Sequence, residues 1–141
     1  MGLTRCKAKN LYLYENFPAM IDPDPNKPFL YKRLKSFKYA LRGFSGVVFT
    51  QPNFIIHILA IGVVFVVGYL LKISHLEWGL VTLAVGLVLM AETFNTSIEW
   101  LCDAVSPEYS EKIRWAKDAA AGGVLIAAIA AMLIAVVVFI M

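Results

Sequence analysis

The chain has 141 residues, of which 60% are hydrophobic and 16% charged, and its net charge is +3. Soluble domains run nearer to about 45–50% apolar and about 25% charged. The apolar residues here also cluster in long runs, so the expected solvent is a bilayer and a soluble globular domain is a poor fit. The two cysteines, Cys6 and Cys102, have no spacing that suggests a metal site or a disulfide framework, and they read as inert free thiols.

Residues 1–28 contain Arg5, Lys7 and Lys9, but no apolar stretch follows them, so they do not read as a signal peptide. Pro18, Pro23, Pro25 and Pro28 argue for an extended N-terminal leader. The next segment is expected to be helical over residues 30–50. Leu30, Leu34, Phe37, Leu41 and Phe44 recur every three or four positions among Lys32, Arg33, Lys35, Lys38 and Arg42, with no acidic residue. That is the pattern of a basic amphipathic helix lying on an anionic membrane surface. Pro52 marks a break and the first turn of a new helix.

Three long apolar runs follow, predicting membrane spans at about 53–72, 76–103 and 118–141. Each must be helical, because the hydrocarbon offers backbone groups no water. Basic residues flank the spans mainly in the amphipathic helix and in the connector over residues 104–118. The N-terminus and that connector are therefore expected on the cytoplasmic side. In the third span Ala119, Gly123, Ala127, Ala131 and Ala135 form a small-residue stripe suited to close helix–helix contact.

The second span carries the polar chemistry. Glu92, Asn95, Glu99 and Asp103 are spaced three, four and four residues apart, which places them on one helical face. Carboxylates at bilayer depth are expensive and must face protein, metal or a wet cleft. They could pass protons, bind a divalent cation, or act as general base and metal holder for chemistry on a lipid head group. The connector, with Glu108, Tyr109 and Ser110 and then Lys117 and Asp118, suits a phosphate and its metal better than a proton wire, although Lys117 and Asp118 taken alone read as an interface anchor and helix start. The chain has neither G-x-x-x-x-G-K-[ST] nor G-x-G-x-x-G, so any nucleotide binds without those motifs. His57, alone near the start of the first span, reads first as a satisfied structural residue and second as a residue of the site.

The run Glu92-Thr93-Phe94-Asn95-Thr96-Ser97-Ile98-Glu99, followed by Asp103 and then Ala116-Lys117-Asp118-Ala119-Ala120, resembles the prokaryotic diacylglycerol kinase family. That family includes the undecaprenol kinases of Gram-positive bacteria. The resemblance runs from about Lys32 to the C-terminus. It implies an all-α integral membrane homotrimer, each subunit having three transmembrane helices and an N-terminal amphipathic surface helix, with residues 1–28 as an extension and 29–141 as the membrane lipid kinase domain. The implied reaction moves the ATP γ-phosphate to a lipid hydroxyl, converting diacylglycerol to phosphatidic acid or undecaprenol to undecaprenyl phosphate. Mg²⁺ would be the cofactor and the bacterial inner membrane the location, with the site facing the cytoplasm and no nucleic-acid partner.

Residue by residue, the resemblance makes Glu92 the general base and Glu99 a Mg²⁺ ligand. It assigns Lys32, Tyr39, Gln51, Asn95, Glu99, Glu108, Tyr109, Ser110, Lys117 and Asp118 to ATP, and Lys32, Trp78, Glu92 and Ala121 to the lipid. Gln51 stands where the family commonly has a second metal-binding Glu, and as a metal ligand it can offer a carbonyl oxygen but no charge. Lys32 replaces an Arg of the best-known members and loses bidentate geometry. A proton- or cation-conducting oligomer built on the same carboxylate stripe is the alternative reading.

Overall fold

The computed structural model describes residues 27–106 and 108–140. Most of the expected N-terminal extension, Cys6 included, lies outside the described residues. Four helices follow one another: α1 (Phe29–Thr50), α2 (Pro52–Leu71), α3 (His75–Val105) and α4 (Glu111–Ile140). The chain forms two compact units, one ending at Gly43 and one beginning at Phe44.

The first unit holds the N-terminal part of α1. Three of its cations sit over aromatic rings of the same helix. Lys27 Nζ lies 4.7 Å from the Tyr31 centroid, Arg33 lies 4.8 Å from Phe29, and Lys35 lies 5.8 Å from both Tyr31 and Tyr39. Phe29, Leu30, Leu34, Phe37 and Leu41 are exposed.

The second unit contains α2, α3 and α4, all long and apolar enough to cross a membrane. Little of that apolar surface is covered by the chain itself: only 6% of the most apolar stretch of α4 is buried, and 11% of that of α2. In water such exposure would be prohibitive, whereas lipid tails solvate it. The three helices therefore fit membrane spans.

The turn between α2 and α3 forces these helices to run antiparallel. Lys72 takes a left-handed conformation (φ 53°) that ends α2, and its N–H bonds back to Tyr69 O at 3.2 Å. Ser74 then caps α3: its hydroxyl accepts from Glu77 N at 3.3 Å, while Ser74 N donates to Glu77 Oε2 at 2.6 Å. Behind this turn Trp78 closes over Gly68. A Cβ on Gly68 would stand 3.0 Å from the Trp78 ring, and the Phe65 ring is 5.3 Å from it, centroid to centroid. At the other end, Phe54 is fully buried with the Phe44 ring edge-on at 5.5 Å, and Val47 is also buried. Gly46 lets the Trp100 ring approach the end of α1.

α4 packs along α3 more extensively than α2 does. It begins at Glu111, seven residues before the expected span. Hydropathy marks only the lipid-soluble part of a helix, and extending an existing helix into polar surroundings is easy once it is nucleated. Glu111 in the first turn also favours the helix start. The connector consequently shrinks to residues 106–110, and residues 111–117, Lys117 among them, become helical. The small-residue stripe divides along α4. Ala131 and Ala135 line a cavity with α2 and α3, whereas Ala119 and Gly123 are exposed.

Candidate functional site

The polar residues of α3 form a column that meets α2 on one side and α4 on the other. Antiparallel helices rise by equal steps, so α2 and α3 keep one register. Gln51 meets Glu99, and six residues further along α2 His57 meets Glu92. The deepest contact is His57 Nε2 to Glu92 Oε1 at 2.9 Å. Glu92 is only 4% exposed, and His57 is half-buried.

One level outward, Glu99 is held on both oxygens. Gln51 Nε2 donates to Oε2 at 3.3 Å and Asn95 Nδ2 donates to Oε1 at 3.1 Å. Asn95 Oδ1 is buried with no hydrogen-bond partner. Outermost, Lys117 of α4 pairs with Asp103. The column thus grades from a buried carboxylate, through a carboxylate held by two amides, to a half-exposed ion pair.

Glu92, Asn95 and His57 line an open cleft of about 370 Å³, closed on its far side by Ala121, Val124, Leu125 and Ala128 of α4. Ala121, assigned to the lipid by resemblance, therefore shares a cleft with Glu92. Asp118 turns away from Lys117 and pairs with Arg114 at 3.5 Å on an exposed face of α4. Adjacent helical residues diverge by about 100°, so the two leave α4 in different directions. Glu108, Tyr109 and Ser110 lie in the connector, Tyr109 being 80% exposed. Lys32 and Tyr39 belong to the first unit. Trp78 packs on Gly68 near the start of α3, fourteen residues from Glu92 or about 21 Å along the helix.

Two contacts are absent from the sequence reading. His57 is satisfied, as the sequence suggests, but its polar partner is the buried carboxylate itself. A signal existed, since one imidazole in an otherwise apolar span needs a polar partner at the same depth, and Glu92 is the candidate at that depth in α3. The Asp103–Lys117 pair had no such signal, because its residues are fourteen positions apart and meet only when α4 folds back along α3.

Three long apolar helices surrounding a column of buried and half-buried carboxylates make this a multi-pass membrane protein with an internal polar site. Residues 38–139 match the family model for prokaryotic diacylglycerol kinase. The chain is 32% identical over 119 residues to the undecaprenol kinase of Bacillus subtilis (strain 168), covering 84% of this chain and 97% of that protein. It is 39% identical over 102 residues to a diacylglycerol kinase of Synechocystis sp. (strain ATCC 27184 / PCC 6803 / Kazusa), covering 72% of this chain and 58% of that protein. The chain belongs to the prokaryotic diacylglycerol kinase family, a family of lipid kinases.

Proposed function

We propose that this protein transfers the γ-phosphate of ATP to the hydroxyl of a membrane lipid, diacylglycerol or undecaprenol, with Glu92 as general base. The observation that carries the reading is a carboxylate 4% exposed that lines a cleft between apolar helices. A lipid hydroxyl entering that cleft from the bilayer would meet Glu92. Glu92 takes the hydroxyl proton as the lipid oxygen attacks the γ-phosphorus, and the bond to ADP breaks. Catalysis of this kind rests on positioning and charge neutralisation. Lys117, held by Asp103 at the outer end of the column, supplies positive charge for the phosphates.

The donors around Glu99 suit Mg²⁺. Among the described residues no three His, Cys, Asp or Glu side chains gather as a metal cage. Mg²⁺ commonly takes one or two protein carboxylates and fills its remaining positions with phosphate oxygens and water. Glu99 would be the carboxylate, with the amide oxygens of Gln51 and Asn95 as neutral donors, and the unpartnered Asn95 Oδ1 is such an acceptor. Bound there, the ion would neutralise charge on the transferring phosphate.

The basic α1 and the basic residues near the α3–α4 connector favour a cytoplasmic N-terminus and site in a bacterial inner membrane, with α1 on the membrane surface. The extensive apolar faces left uncovered are compatible with a homotrimer. Phosphorylation of both lipids by ATP in mixed micelles with Mg²⁺ tests the function. The match along almost the whole B. subtilis enzyme makes undecaprenol the first acceptor to offer. A well-assembled protein that phosphorylates neither lipid overturns the reading and returns the carboxylate column to an ion pathway.

A further inference from the structure

The buried carboxylate has a dedicated partner in the histidine of α2. His57 lies in a helix whose neighbouring residues from Phe54 to Leu71 are otherwise apolar or glycine, save Tyr69. On one side it lines the cleft with Glu92 and Asn95. On the other it closes an apolar cavity of about 150 Å³ bounded by Ala60, Val64, Val85, Val88 and Ala131. Those walls offer the imidazole no hydrogen bond, so its polar interaction is directed at Glu92, 2.9 Å away.

A glutamate has three rotatable side-chain bonds, and the apolar cleft wall of Ala121, Val124, Leu125 and Ala128 offers its carboxylate no hydrogen bond. A base must stand within hydrogen-bond reach of the proton it takes, and misplacement of about 1 Å can lower a rate by about 10². We propose that His57 is a positioning residue for phosphoryl transfer. Its Nε2–H donates to Oε1 of Glu92, fixes the carboxylate and leaves Oε2 to accept the proton of the lipid hydroxyl. Nδ1 then carries no proton in the neutral ring. The histidine touches neither phosphate nor acceptor oxygen in this role; it acts through Glu92. The inference rests on the lipid kinase reading with Glu92 as its base.

Steady-state lipid phosphorylation by the full-length protein in mixed micelles tests it, using His57→Leu, His57→Gln and His57→Asn, each also combined with Glu92→Gln. Glutamine places an amide nitrogen near the Nε2 position, whereas asparagine is too short. The expected result is a kcat lower by about 10–100-fold for His57→Leu, a magnitude set by the sensitivity of rates to placement. KM for ATP and for lipid should be nearly unchanged, and His57→Gln should recover most of the rate. In the Glu92→Gln background, His57→Leu should remove nothing further, because the residue it acts through is gone.

Wild-type kcat in a well-assembled His57→Leu protein overturns the inference while leaving the kinase reading intact. So does a loss that adds in full to that of Glu92→Gln, or one confined to KM for ATP. Should His57→Leu fail to assemble, the comparison of Gln with Asn decides, and equal rates for the two overturn it. A wild-type protein that phosphorylates no lipid overturns the kinase reading and this inference together.

Discussion

Gln51 Nε2 donates to Glu99 Oε2 across 3.3 Å, joining the N-cap of α2 to the middle level of the α3 column. The contact lies near the start of α2, where the chain turns after α1, so the same residue that begins the span also reaches the polar site. Asn95 holds the other oxygen of Glu99 from one turn deeper on α3. Two neutral amides therefore bracket one carboxylate at the position proposed for Mg²⁺.

Replacing Gln51 with Glu should tighten Mg²⁺ binding. A second carboxylate beside Glu99 adds charge where the present amide offers only a dipole. Half-maximal activity is expected at a Mg²⁺ concentration lower by on the order of tenfold, the equivalent of about 1.4 kcal/mol. Without the ion the two carboxylates repel each other, so the variant should unfold at a lower temperature than wild type in chelator and recover on adding Mg²⁺. A Mg²⁺ titration of activity paired with thermal unfolding measures both. An unchanged Mg²⁺ requirement would remove Gln51 from the metal site.

Glu92→Gln keeps size and hydrogen bonding but cannot take a proton. The loss expected for a general base is about 10²–10⁴ in kcat. The variant should assemble normally, because a Gln amide can still bond the His57 ring. Rates of lipid phosphorylation alongside size-exclusion profiles check this, and full activity in the variant would exclude Glu92 as the base.

The helices, their order and the polar face of α3 were legible in the sequence because bilayer solvation imposes strong local rules: long apolar runs, a proline at a helix start and carboxylates that must share a face. What escaped were contacts across helices. Spacing along α3 placed Glu92, Asn95 and Glu99 together, but it could not show that His57 and Gln51 arrive in matching register, because that depends on the tight turn at Lys72–Ser74. The early start of α4 escaped for a different reason. Glu111, Lys112 and Arg114 are polar, so a hydropathy reading assigns them to the connector, although the backbone continues its helix there.

Gly68→Ala should destabilise the protein. Its new Cβ would stand 3.0 Å from the Trp78 ring and 3.1 Å from Ile73 Cδ1, and overpacking of this kind costs about 1–3 kcal/mol. The reverse change, Trp78→Phe, should also lower the unfolding temperature, because it opens a gap over Gly68 and beside Phe65. Trp78 lies far along α3 from Glu92, so KM for the lipid should move little in either variant. Unfolding midpoints in detergent together with lipid KM values test this, and a raised lipid KM with unchanged stability would place Trp78 at the lipid site.

The α2–α3 turn gives the last prediction, in which two substitutions act in opposite directions. Ser74 supplies the first-turn cap of α3, and its replacement by Ala leaves Glu77 N without that acceptor. A loss of about 1 kcal/mol is expected. Lys72 holds a left-handed conformation with φ 53°, which burdens any side chain with a Cβ by roughly 1–2 kcal/mol relative to glycine. Lys72→Gly should therefore stabilise the turn by about 1 kcal/mol, and in the double variant the two effects should nearly cancel. Denaturant or thermal unfolding in one detergent gives all three values. A destabilised Lys72→Gly protein would mean that the lysine side chain contributes more at this end of the span, through its interaction with the membrane surface, than the backbone strain removes.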